Sequence, residues 1–244
     1  MLQETKKTHK EVKTPQISLP QLADYMAASE QRQRSIAQDC KYRSTARIVQ
    51  HADARIVVTN HILSGVEGVD GLQDKADAIR NKITDTDFEA DLNDHSADYV
   101  EHFADIFPVV QLPKGAELSA PPTMAALMLH GVKVTFAPQI MLKRITKTNK
   151  VRTGALMLRY AKGKALNPTV ANYQTAGIYG YMATLNAANM AEAERALCLV
   201  LDAHTGTCHS APGNAVYLFK NMSAACATIG EWWPGIKPPK TAVL

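Results

Sequence analysis

Long apolar runs are missing from this chain of 244 residues. The stretch Met124 to Leu129 falls far short of the roughly 20 residues that a membrane-spanning helix needs, so no membrane association is expected. Cysteine is sparse: Cys40, Cys198, Cys208 and Cys226 are scattered with no C-x-x-C pair. That spacing argues against a disulfide framework or a structural zinc site and for reduced thiols in the cytoplasm. The opening residues, MLQETKKTHKEVKTPQ, have no apolar core and do not read as a secretory signal. Neither Ser210 nor Ser223 has the flanking glycines of a nucleophile elbow, which removes the support for serine catalysis. The aspartates between Asp85 and Asp98 lack the central glycine and terminal glutamate of a calcium loop. They read instead as the first turn and solvated face of an acidic helix.

What the chain has is an ordinary globular composition with an uneven charge. An apolar fraction of 46% and a charged fraction of 20% fit a protein with a sizeable core. Residues 61–110 carry 3 Lys and Arg against 12 Asp and Glu, a net of −9. Residues 111–164 carry 10 against 1, a net of +9. An acidic block followed by a basic one suggests either a charged partner or docking of one block on the other. In the second case the acidic helices would mask the basic surface, and a fragment starting near Ala120 would bind polyanions more tightly.

Taken in order, residues 1–16 read as a disordered basic tail and 17–107 as a helical region. Residues 108–122 read as a Pro-rich linker and 123–244 as an α/β domain. Ser18 is a helix cap with Pro20 in the first turn, and Ser29 caps a second helix with Arg32 and Arg34 facing water. A third helix over about 46–63 has Ile48, Ala52, Ile56 and Val57 as its stripe. No recognition-helix pattern stands out, so a helical bundle is expected rather than a DNA-reading module.

From Gly131 to Lys164 the pattern is that of two long strands joined by a basic tip. Val132, Val134 and Phe136 alternate with polar residues, and Ile140 to Leu142 continues the strand. Thr146 to Lys150 suits a turn, and Ala155 to Leu158 is apolar on both faces, as in an interior strand. A helix follows Asn167-Pro168, with Val170, Tyr173, Gly177, Tyr181 and Leu185 inward and Gly177 and Gly180 allowing close approach to a sheet. Leu197 to Ala203 and Thr207 to Ala211 are strands around a His204–Gly206 turn, and a final helix carries Phe219, Met222, Cys226, Ile229 and Trp233. The fold class is therefore α/β (α+β). A helical N-terminal part precedes a mixed-sheet domain of order strand-strand-helix-strand-strand-helix. Trp232-Trp233 reads as a core anchor rather than a base-stacking platform. Asp202, His204, Cys208 and His209 cluster across a tight hairpin but lack zinc-site spacing.

This order of elements, together with Pro138-Gln139, resembles the PD-(D/E)XK nuclease-like core over about residues 124–244. In that family a Pro-Asp and an (Asp/Glu)-x-Lys hold magnesium and position a water. Here Gln139 replaces the first carboxylate, and Ala155 and Met157 stand on the strand that would carry the second motif. Gln174 resembles the glutamine of the RecB-like branch, with a different tyrosine spacing. Magnesium needs anionic oxygens, so the resemblance implies a degenerate site with no cofactor; magnesium would enter only in an active nuclease. The basic set Lys143, Arg144, Lys147, Lys150, Arg152, Lys162 and Lys164 can follow a phosphate backbone without reading sequence. The expected function is an inactive nuclease-like module that binds nucleic acid within a larger prokaryotic DNA-processing or defence assembly. The alternatives are a subunit whose basic hairpin docks an acidic protein partner, and an active metal-dependent nuclease.

Overall fold

Ser18 opens the first helix in a computed structural model that describes residues 7–45, 51–186 and 192–244. Its Oγ accepts the Gln21 N–H, and the Gln21 side chain accepts the Ser18 N–H at 3.2 Å, a reciprocal cap with Pro20 in the first turn. In chain order the elements are β1 (His9–Glu11), β2 (Gln16–Ser18), α1 (Leu19–Met26), α2 (Glu30–Lys41), β3 (Tyr42–Ser44) and α3 (Ala52–Ser64). There follow α4 (Leu72–Arg80), α5 (Asp87–Ile106), β4 (Glu117–Ser119), β5 (Leu127–Leu129), β6 (Val132–Thr135) and β7 (Ile140–Ile145). The last are β8 (Val151–Arg159), α6 (Pro168–Asn186), β9 (Glu192–Ala193), β10 (Leu199–Asp202), β11 (Cys208–Ser210) and α7 (Ala215–Trp232). The fold is α+β, with mixed sheets and a helical N-terminal part.

The central sheet runs β11-β10-β8-β7-β4, with β9 beside the start of β8. β8 pairs antiparallel with β7 and parallel with β10, which it reaches through α6. A separate sheet, β2-β6-β5, and the two-stranded β1-β3 ladder complete the strands. Alternate residues of β8 divide between two cores, which is why its sequence is apolar throughout. Ala155 and Met157 join α1, α2, α6 and α7 on one face, with Ile17, Leu22, Met222 and Ile229. Leu156 and Leu158 join α3, α4 and α5 on the other, with Val58, Val100 and Phe103. Each fully buried side chain of this size contributes about 1.5–3 kcal/mol. Both cores draw on residues from either side of 108–122, and that stretch itself supplies β4, paired with β7. Of residues 1–16, the first six lie outside the described residues, and β1 pairs with β3.

Several local expectations are corrected. The long first strand of the hairpin is two strands in different sheets. Val132 and Val134 alternate inward as expected, but β6 pairs with β2 and β5. Pro138 has no N–H for a ladder, and pairing with β8 resumes at Gln139, whose N–H donates to the Leu156 carbonyl at 3.0 Å. In α3 the inner stripe is Ala54, Val58, His61 and Ile62; Ala52 is exposed and Ile56 is 58% exposed, while Ile48 lies outside the described residues. Gly177 and Gly180 admit helices rather than a sheet. A Cβ at Gly177 would lie 2.4 Å from Leu19 of α1, and one at Gly180 would lie 2.3 Å from Phe219 of α7. Leu185 is exposed at the last turn of α6. The strand expected from Leu197 begins at Leu199, because Arg195–Leu197 forms a 3-10 turn. That turn lies against β8, where a Cβ on Gly154 would come 2.1 Å from the Leu197 carbonyl oxygen.

Candidate functional site

The turn between β7 and β8 is closed by the Thr146 N–H donating to the Lys150 carbonyl at 2.9 Å, with Asn149 in the left-handed region at φ 59°. Five of the seven basic residues flank this turn, while Lys162 and Lys164 lie beyond the opposite end of β8. Arg144 and Arg152 lie opposite each other in the ladder, on the same face. Arg144 forms a two-pronged pair with Glu194, its Nε donating to Oε2 at 2.9 Å, and Arg152 pairs with Glu192. Lys162 donates to Asp98 of α5 at 2.9 Å. Lys143, Lys147, Lys150 and Lys164 are exposed, and no ion pair holds them among the described residues. The pair Lys162–Asp98 is the only ion pair among the described residues that joins the acidic block to the basic one. The acidic helices otherwise satisfy their own arginine, as Arg80 reaches Asp77, Asp94, Asp98 and Glu101. They form a solvated face rather than a mask over the hairpin.

The positions that would carry nuclease chemistry are filled differently. The Gln139 side chain accepts the Leu158 N–H at 2.7 Å and donates to the Ala137 carbonyl at 3.1 Å, extending the ladder past Pro138. Ala155 and Met157 are buried in the first core. Gln174 on α6 is 0% exposed and lies against the Met157 sulfur at 3.6 Å. Two residues beyond Met157, the Arg159 guanidinium fills this face. It donates to Gln174 at 2.7 Å, to both Asp24 carboxylate oxygens at 2.8 and 3.2 Å, and to the Pro20 carbonyl at 3.1 Å. The one carboxylate bonded in this network, Asp24, is neutralised by an internal cation, and the other groups bonded there are an amide and a backbone carbonyl. The residues present do not fit a hard divalent cation. Sequence reading missed Arg159 and Asp24; no spacing links two residues 135 positions apart.

At the carboxyl end of β10, in register with Arg159, Asp202 is 2% exposed. Its carboxylate accepts from the Leu166 and His204 N–H groups at 2.9 and 3.0 Å and from the Thr205 hydroxyl at 2.9 Å. It therefore pins the entry to α6 and the following turn. Among the described residues no group of three or more His, Cys, Asp or Glu is placed to hold a metal. No disulfide joins the four cysteines. Burial pushes the Cys198 and Cys226 thiols up to about 12 and Cys208 up to about 11, which makes them poor nucleophiles.

Beside Asp202 stands an aromatic and imidazole cluster. Tyr99 stacks on Tyr160 with centroids 4.0 Å apart, His51 meets both edge-on, and His102 stacks on His204 at 4.8 Å. The His102 Nε2 lies 2.7 Å from the His204 carbonyl and ties α5 to the β10–β11 turn. The spacing of Tyr99 and His102 at i and i+3 was the available signal for it, obscured by the acidic residues of the same helix. Among the described residues no helix is long and apolar enough to cross a membrane. Compared with known protein families and with curated proteins, the chain matches none.

Proposed function

We propose that this protein is a nuclease-like module without catalytic activity that binds nucleic acid through phosphate contacts, as one part of a larger DNA-processing or defence assembly. One observation carries the reading. The hairpin arginines are tied to glutamates, while Lys143, Lys147, Lys150 and Lys164 are exposed and form no ion pair among the described residues. A lysine ammonium free in solvent is a point charge suited to phosphate and indifferent to base sequence. The strand order of β7, β8, α6 and β10 supports the nuclease-like part, and Arg159 on the face where a metal would sit supports the loss of catalysis.

A second reading has its own observation. Ile145, at the end of β7, is 62% exposed near Lys143, Lys147 and Lys150, and an exposed apolar side chain suits a protein partner with an acidic surface better than it suits phosphate. The two separate in a salt series with a labelled duplex. Each phosphate contact contributes to the log–log slope, so changing the four lysines to alanine should flatten it by roughly 3 to 4. An unchanged slope would leave the protein-docking reading in place. The same duplex incubated with magnesium or manganese should remain intact; cleavage would overturn the non-catalytic part.

A further inference from the structure

Trp232 and Trp233 are adjacent at the end of α7, and the fold uses them differently. Trp233 is 2% exposed, and its indole N–H donates to the Val12 carbonyl at 3.1 Å, so it is a core anchor. Trp232 is half-buried and lines a cavity of about 600 Å3 between α2 and the chain after α7. That volume falls within the range of small-molecule sites. Across from it, Gln31, Arg34, Ser35 and Gln38 line the same cavity at positions i, i+3, i+4 and i+7 of α2. Ile36 and Cys40 turn from the same helix into the core. The Arg34 guanidinium lies 5.7 Å from the Trp232 ring centroid and pairs with Glu30 at 2.6 Å.

The far wall, Gly235 to Lys237, is fixed from behind. The ammonium of Lys41, 5% exposed, donates to the Trp233 carbonyl at 2.8 Å and the Ile236 carbonyl at 3.1 Å. The Tyr42 hydroxyl donates to the Ile236 carbonyl at 3.0 Å, and the Gln38 amide to the Lys237 carbonyl at 2.9 Å. The groove is thus organised before anything enters it, which lowers the ordering cost of binding. Its rim continues into the two ends of the chain. β1 pairs with β3, and the Thr8 N–H donates to the Val243 carbonyl at 2.9 Å. This weave exposes Lys7, Lys10, Lys13, Arg43, Lys237 and Lys240. Its one acid on β1, Glu11, lies 3.7 Å from Lys41. Glu231 is the only acid among the described residues lining the cavity.

An aromatic face, an excess of hydrogen-bond donors and a cationic rim together suit a planar ring that carries negative charge. We propose that this groove takes one nucleotide of a single-stranded nucleic acid, with its base on the Trp232 indole and its phosphates against Lys237 and the basic weave. The proposal rests on the nucleic-acid reading above and adds a second site with its own preference. Duplex bases are already stacked on one another and cannot reach the indole, whereas an unpaired base can; stacking of this kind tolerates any base.

The test uses the full chain with labelled oligothymidylate and a duplex of equal length. Trp232→Ala should weaken single-strand binding roughly tenfold, with duplex binding through the hairpin unchanged. Trp232→Phe, which keeps a stacking ring, should recover most of that loss. The chain has two tryptophans and Trp233 is buried. Oligothymidylate should therefore quench the wild-type emission, and the quench should vanish in Trp232→Phe. Equal single-strand affinity in wild type and Trp232→Ala overturns the groove and leaves the hairpin reading intact. A wild-type protein that binds neither nucleic acid overturns both. Should Trp232→Ala fail to fold, the quench decides: no change in wild-type emission on binding oligothymidylate overturns the proposal.

Discussion

His61 is 4% exposed, stands edge-on to Phe107 at 4.7 Å and to Phe103 at 6.3 Å, and has a buried Nε2 without a hydrogen-bond partner. Burial pushes its pKa below the ordinary histidine value, and Lys75 adds to the effect. The folded value lies below the unfolded one, so the contribution of neutral His61 is complete above about pH 6.5. It is lost as pH falls through the folded value. His51 shifts in the same direction, mainly through burial. Asp98 and Glu101 are held low by hydrogen bonds from Lys162 and Arg80, so their contributions persist until pH falls below about 4. Urea midpoints should therefore decline in two separate windows on acidification. His61→Leu should flatten the upper decline, by no more than about 1.4 kcal/mol per pH unit for a single group, and leave the lower one unchanged. An identical upper decline in the variant would mean that His61 is not what titrates. This residue was invisible in the sequence for a physical reason. Apolar residues surround α3, from Ala54 and Ile56 to Val58 and Ile62, so periodicity could not choose the buried face and settled on Ile56.

At the scale of elements, what was legible is what short-range chemistry decides. Ser18 with Gln21 and Pro20 reads as a cap because those atoms meet within one turn. The Thr146–Lys150 turn and the doubly buried β8 follow from composition and pattern in the same way. The state of the hairpin charges was not legible. Glu192 lies 40 residues from Arg152 and Glu194 lies 50 from Arg144, in a stretch whose net charge is zero. A count over contiguous segments therefore credits the hairpin with cations that the fold has already paired. The consequence can be tested by releasing them. Glu192→Gln with Glu194→Gln should free two arginines on one face of the ladder and steepen the log–log salt slope for duplex binding by about 2. A slope that stays put would place the phosphate contacts away from that face. The cationic rim around Trp232 escaped the same count, because it is assembled from residues near both ends of the chain.

For the whole molecule, the deciding fact is that residues of 17–107 and of 123–244 meet in both cores. Ile17, Leu22 and Tyr25 lie with Met222 and Ile229 in one, and Val100 and Phe103 lie with Leu142 and Leu201 in the other. A fragment from Ala120 onward would lose β2 from its small sheet, α1 and α2 from one face of β8, and α3 to α5 from the other. It should fail to give a cooperative melt by circular dichroism and should be degraded rapidly by protease. A protected, cooperatively melting fragment would show that the C-terminal sheet is self-sufficient.

The Lys41 clamp joins residues 192 positions apart, and the Val243–Thr8 bond joins residues 235 apart. On a ribosome adding about 5 to 20 residues per second, α1 and α2 emerge roughly ten to forty seconds before the chain that covers them exists. Early in that interval Leu22, Tyr25 and Ile36 lack the β8, α6 and α7 residues that share their core. The apolar faces of α1 and α2 therefore stay open until β8, α6 and α7 follow.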